Sequence, residues 1–216
     1  MNKIYITIIL LFTSHLYGQD FKVELGEKIC ECFEREKEIK ESTLTSCFTD
    51  NAVYFETELE KMIDKTSDVS EYEQGKILGR QLFFDMQNSL IQNCDLYYEF
   101  FDNMREESRI AMKDVFSQST IDSLDILITE NKTTELLWER GNAYFYQNKL
   151  EKAEKDYTEC IEINNNHIQS LFFLGWVNER QGNFTKAIEL YEKIIALTNN
   201  EEIILFLELA KRKSKL

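Results

Sequence analysis

Apolar residues recur along the chain at spacings of three and four, the period of an α-helix that hides one face. Leu25, Ile29, Cys32 and Phe33 form the first stripe and predict a helix from Phe21 to about Ile39. Leu44, Phe48, Ala52, Phe55, Leu59 and Met62 form a second, and the polar run Thr66 to Ser70 reads as a loop. Tyr72, Gly79, Leu82, Phe83, Met86 and Leu90 stripe a third helix. Gly75 and Gly79 lie one turn apart on it, a small-residue spacing that predicts close approach of another helix. Leu96, Tyr97, Phe100, Phe101 and Met104 continue in a fourth helix after Asn93-Cys94, and a less regular fifth runs from Ser108 to about Ile128. Asn131 to Thr133 breaks the series.

Beyond that break the chain repeats itself. Residues 134–167 align over 168–201 with a period of 34 and no gap. Leu137/Leu171, Gly141/Gly175, Ala153/Ala187, Tyr157/Tyr191 and Ile161/Ile195 are among the identical pairs. A glycine on the first helix of each unit lets the second approach, an alanine supplies the facing small contact, and a tyrosine one turn on covers the junction. Polar turns, Gln147-Asn148-Lys149 and Gln181-Gly182-Asn183, separate the paired helices. Period and residue types together resemble the tetratricopeptide repeat (TPR). Arg140 stands where the family has Leu, Asn178 where it has Tyr, and Asn165 and Asn199 where Pro is common. The Cys-x-Cys first helix, third Cys and Gly-bearing helix ending in Asn-Cys resemble the front part of exported bacterial TPR proteins.

The resemblance implies an all-α fold, a helical N-terminal region followed by a short α-solenoid of two TPR units and a C-terminal capping helix. The expected divisions are a signal peptide at 1–18, a Cys-containing helical domain at 19–130, two repeat units at 134–201 and the capping helix at 202–216. Two units alone leave apolar ends uncovered. The amphipathic stretch from Glu201 to Lys213 fits a cap at one end, and the front helices are expected to cover the other.

Composition agrees with a folded helical protein: 43% hydrophobic, 30% charged, seven Gly and no Pro. Without turn-forming proline and glycine, a strand-rich fold is disfavoured. The 25 basic and 39 acidic residues leave a net charge of -14, a field that repels nucleic acid and anionic lipid. The acidic residues are spread along the helices and read as a solvated surface.

The N-terminus reads as an export signal. Lys3 gives the positive start, Ile4 to Phe12 the apolar core, and Ser14 to Gly18 a more polar stretch ending in a small residue before Gln19. Nine residues rise only about 14 Å as a helix, too short for a bilayer core of about 30 Å; no membrane span is expected after cleavage. The C-terminal Ser214-Lys215-Leu216 matches a peroxisomal address, but a basic last helical turn explains it equally. Export to the periplasm or medium is the stronger expectation. An oxidising compartment makes Cys30, Cys32, Cys47 and Cys94 candidates for two disulfides. Side chains two apart on a helix point about 200° apart, so Cys30 and Cys32 do not pair with each other. Each then pairs with Cys47 or Cys94. Cys160, at a core-facing repeat position, is expected to be a buried free thiol.

TPR ligands usually lie against the first helix of each unit, on the concave side. The resemblance places Glu135, Trp138, Asn142, Phe145 and Tyr146 there, with Gln169, Phe172, Trp176, Glu179 and Arg180 in the second unit. Aromatic and Arg side chains are the usual centres of binding energy, so a protein or peptide partner is expected on this face. The alternative is that Trp138, Phe172 and Trp176 simply pack inside the protein. Asn142 matches an Asn of repeats that clamp a terminal carboxylate, but Trp138 replaces the basic residue, so that specificity does not carry over.

Catalysis has little support. The one histidine of the mature chain, His167, lies at a unit boundary, and no Ser-His-acid set, phosphate loop or paired-His metal motif occurs. No cofactor, catalytic residue or metal ligand is expected. Asn131-Lys-Thr133 and Asn183-Phe-Thr185 fit the N-glycosylation pattern, which has meaning only in a eukaryotic host. A rival function, an enzyme or a small-molecule, thiol or metal-binding protein, would act through the Cys-containing helices. Mass spectrometry of the exported protein should find a chain beginning near Gln19; an intact Met1 in cytosolic or peroxisomal material would contradict the export signal.

Overall fold

The computed structural model describes residues 21–36 and 39–216, and the expected signal segment lies outside them. Helices α1 (21–36), α2 (Glu41–Ala52), α3 (Glu56–Glu60), α4 (Glu71–Asn93), α5 (Asp95–Ala111) and α6 (Gln118–Glu130) precede the repeat. α7 (Thr134–Tyr146), α8 (Leu150–Ile163), α9 (Ile168–Arg180) and α10 (Phe184–Thr198) form its two units, and α11 (Ile203–Lys213) follows. The described residues contain no strand. The fold is all-α, as the stripes predict.

Three expected boundaries move. The second stripe is not one helix: α2 ends at Ala52, Val53–Phe55 tightens into a 3-10 turn, and α3 is five residues long. Asn51 donates its Nδ2 to the Cys47 carbonyl at 2.7 Å, the kind of side-chain competition for helical carbonyls that disturbs an α-helix. Met62 falls in the turn beyond and is exposed. The fourth stripe extends through Ser108 to Ala111, so the break before the fifth helix lies at 112–117. The chain also divides into two compact units between Phe100 and Phe101, not near residue 130. The second half of α5 and all of α6 pack with the repeats.

In the first unit Phe21, Leu25, Ile29 and Phe33 recur every fourth residue and are buried, with Met86, Leu90 and Ile91 from α4. Phe33 stacks on Tyr97 at 5.7 Å, and the Tyr97 hydroxyl donates to Gln87 Oε1 at 2.9 Å. Two disulfides close this unit, resolving the open pairing: Cys30 with Cys94, and Cys32 with Cys47, each with Cα atoms 5.7 Å apart. Ser70 caps α4 by accepting from the Glu73 amide, which is why the polar stretch before it is a loop.

In the second unit each repeat closes as its spacing requires. A Cβ added to Gly141 would lie 2.7 Å from Tyr157 Cε1, and one on Gly175 2.7 Å from Tyr191 Cε1. Both tyrosines are fully buried, beside Ala153 and Ala187. The turns between paired helices use the left-handed region at one repeat position, Asn148 with φ 60° and Gly182 with φ 80°. Asn199 ends α10 at φ 51°, a conformation closed to the proline common there. Arg140 bridges Asp156 on α8 (2.7 and 2.8 Å) and Asp125 on α6 (2.8 Å), fastening the preceding helix to the first unit. Ile121 of α6 enters the core with Phe145, Tyr157 and Val177. At the far end Ile203, Leu207 and Ala210 of α11 cover Leu171, Tyr191 and Ile194. Both apolar ends are therefore closed.

Gly75 and Gly79 do not behave as expected. Among the described residues, nothing beyond the helix's own backbone lies within 4 Å of a Cβ built on either, so none of the described helices approaches them. Gly141→Ala should therefore destabilise the repeat segment by about 1–3 kcal/mol through overpacking against Tyr157. Gly75→Ala, on an exposed helical face, should stabilise by up to about 1 kcal/mol. Denaturation curves of the two variants check the pair, and equal effects would contradict these glycine environments.

Candidate functional site

The face assigned to ligands sorts into three groups. Glu135 and Gln169 are exposed; Trp138, Tyr146, Phe172 and Arg180 are half-buried; Asn142, Phe145, Trp176 and Glu179 are buried. Phe145 is 0% exposed and Trp176 9%, so neither is an open groove aromatic. Their rings meet at 4.9 Å, and Phe172 packs edge-on against Phe206 of α11 at 4.7 Å. Trp138 packs on the same core with its indole Nε1 buried and unbonded. Asn142 is spoken for as well, accepting from the Tyr157 hydroxyl at 2.6 Å.

The cover over this face is the chain's own helix α5. Arg105 reaches Glu179 on α9 through Nη2 at 2.5 Å and Nη1 at 3.3 Å, with its guanidinium 5.4 Å from the Trp176 ring and 5.3 Å from that of Phe206. One turn on, Arg109 donates Nη1 to the Tyr146 carbonyl at the end of α7, 3.3 Å away. Glu106 accepts from Arg180 Nη1 at 3.0 Å, and Asp102 pairs with Lys213 of α11 at 2.5 Å. Residues 102–109 thus reach α7, α9 and α11.

Glu179 is the hub. Besides Arg105 it takes Lys213 Nζ at 3.0 Å and lies 3.3 Å from the Tyr191 hydroxyl, its side chain only 1% exposed. Two carboxylates, Glu179 and Asp102, here meet two cations, Arg105 and Lys213. A carboxylate so buried is tolerable only when paired and hydrogen-bonded. Burial alone would lower the pKa of Arg105; the Glu179 charge outweighs it and leaves it raised. Lys213 follows the same pattern, burial opposing and Glu179 prevailing. Burial pushes the Tyr191 hydroxyl well up, with Glu179 adding to it. At the rim, the Glu106 carboxyl is held below its usual range by its hydrogen bond from Arg109 and by the nearby Arg180 charge.

Asp102, Arg105, Glu106, Arg109 and Lys213 were not among the expected site residues. Two signals were available. Tyr97, Phe101, Arg105 and Arg109 continue one spacing-of-four stripe, so the arginines share the face of buried aromatics. Glu179 occupies the repeat position of Phe145, a buried slot in the other unit, and an acid there requires a base from elsewhere.

The remaining candidates have structural partners. His167 caps α9, its Nδ1 accepting from the Ser170 amide at 3.3 Å. Cys160 is buried and free, donating Sγ to the Thr134 carbonyl at 3.1 Å, and burial raises its pKa. Cys30, Cys32, Cys47 and Cys94, held in disulfides, offer no thiolate for a metal. Among the described residues no group of His, Cys, Asp or Glu is arranged to hold an ion. No helix of the described residues is long and apolar enough to cross a membrane.

Residues 132–200 match a family model described as Tetratricopeptide repeat. The two units are TPR units. Such repeats generally mediate protein–protein interaction, which makes a protein the expected class of partner. No curated protein matches the chain.

Proposed function

We propose that the chain is an exported protein-interaction module whose TPR face receives a helix, and that α5 is the resident helix a partner displaces. The carrying observation is the buried contact of Arg105 with Glu179, supported by Arg109 on Tyr146 and Asp102 on Lys213. Export is supported by the N-terminal signal pattern and by the two disulfides, which persist in oxidising compartments. The contacts made by α5 define the partner's chemistry: an amphipathic helix with Arg four residues apart, an aromatic or aliphatic residue one turn before, and an acid able to meet Lys213. Such recognition is the helix-in-groove mode. A tethered α5 competes at an effective concentration of roughly millimolar, so a partner must bind strongly or be tethered itself.

A labelled peptide of residues 99–113, measured by fluorescence anisotropy, tests this. The intact chain should not bind it, because α5 fills the face. The chain carrying Arg105→Ala and Arg109→Ala should bind it at least tenfold better, and adding Glu179→Gln should abolish that binding. Both tryptophans, Trp138 and Trp176, lie in the TPR units, so their emission reports whether the variant's repeats remain folded. Equal binding by all forms, binding by none, or a released variant with unfolded repeats would show α5 to be plain core.

A further inference from the structure

The first unit holds an open apolar groove of about 680 Å³. One wall comes from α2, the 3-10 turn and α3, with Phe48, Ala52 and Leu59; the other from α4, with Leu78 and Phe83. Leu25 and Met86, both buried, complete its lining. Its volume falls within the range of about 300–1,000 Å³ found for small-molecule sites. Sixteen of the described residues line it, fewer than the roughly 20–30 that each side of a standard protein interface engages.

Three observations indicate a built site and not a packing flaw. Gly75 and Gly79 both line the groove, and none of the described residues places a packing neighbour within 4 Å of where their side chains would begin. Glycine weakens a helix interior, and no packing neighbour among the described residues requires it here; what the two glycines leave is space along the α4 wall. The walls are also fixed. Cys32–Cys47 ties α1 to α2, and Cys30–Cys94 ties α1 to the residue that ends α4. Both sides are thus cross-linked to the helix that supplies Leu25, which opposes collapse onto the apolar lining. Finally, the charged lining residues are all acidic: Glu56, Glu60 and Glu71, with no Lys or Arg among the sixteen.

An apolar trough whose charged lining among the described residues is carboxylate selects against fatty acids and other anionic amphiphiles, whose head groups the three glutamates repel. We propose that this groove binds a small cationic amphiphile, an apolar chain or ring system bearing an amine or quaternary ammonium. The tail lies along Gly75 and Gly79 between the two walls, and the cationic head meets Glu56, Glu60 and Glu71. The site is independent of the TPR face, and its failure would leave the helix-binding reading untouched.

Isothermal titration of the oxidised chain beginning at Gln19, with decyltrimethylammonium and decyl sulfate below their micelle thresholds, tests the proposal. The cation should bind at least tenfold more tightly than the anion with the same tail. Gly79→Leu, which fills the groove from an exposed helical position, should weaken cation binding at least tenfold with the helical circular dichroism retained. The triple change Glu56→Gln, Glu60→Gln and Glu71→Gln should remove the preference between heads while leaving tail binding in place, a second readout should Gly79→Leu disturb folding. Equal affinity for both heads in the unmodified chain overturns the proposal. So does undiminished binding by a folded Gly79→Leu chain, or saturation by a basic amphipathic peptide with no binding of decyltrimethylammonium.

Discussion

Glu179 places a negative charge where water does not reach, at a repeat position whose counterpart in the other unit is the buried Phe145. A lone carboxylate in that slot would be severely destabilising. Arg105 meets it, Lys213 joins from the last helix, and the Tyr191 hydroxyl completes the shell. Three separate parts of the second unit are therefore committed by one carboxylate: α5, α11 and the Tyr191 that also closes over Gly175. Buried ion pairs contribute little net stability compared with apolar packing, but removing one member costs about 3–5 kcal/mol. The arrangement thus specifies where α5 lies more than it strengthens the fold.

The TPR units supply the rigid frame that makes this possible. Gly141 packs against Tyr157 and Gly175 against Tyr191, and Phe145, Trp176 and Phe172 form one continuous aromatic layer, with the Arg105 guanidinium of α5 over Trp176. The departures from the family pattern have local uses. Arg140 fastens α6 through Asp125 and Asp156, and Asn199 takes up a left-handed turn. Asn178, in place of Tyr, is buried with its Nδ2 on the Leu174 carbonyl and its Oδ1 unbonded, and nothing else in the structure explains it.

Helix class, the 34-residue period, the cap at α11 and the free Cys160 were legible because each rests on local spacing or on repetition within the chain. Disulfide partners were half legible: helix geometry excluded Cys30 with Cys32, but the choice between Cys47 and Cys94 depends on how three helices pack. What lies against the expected ligand face was not legible, because family position says which side of a TPR helix is inward, not what packs there. Arg105 sits 74 residues from Glu179, and no local pattern fixes such a pairing. Gly75 and Gly79 show the same limit from the other side: small-residue spacing shows that room exists, while none of the described helices uses it.

The placement of α5 on the TPR face is tested most directly by a double-mutant cycle on Arg105 and Glu179, using Arg105→Met and Glu179→Met. Tryptophan emission during denaturation isolates the TPR units, since Trp138 and Trp176 are the only tryptophans in the chain. Each single change should destabilise by about 3–5 kcal/mol, because each leaves a buried charge short of its partner. The double change should cost less than the sum of the two by at least about 2 kcal/mol, the coupling expected of side chains in direct contact. Additive losses would contradict the buried pair, and with it the position of α5 across α7, α9 and α11.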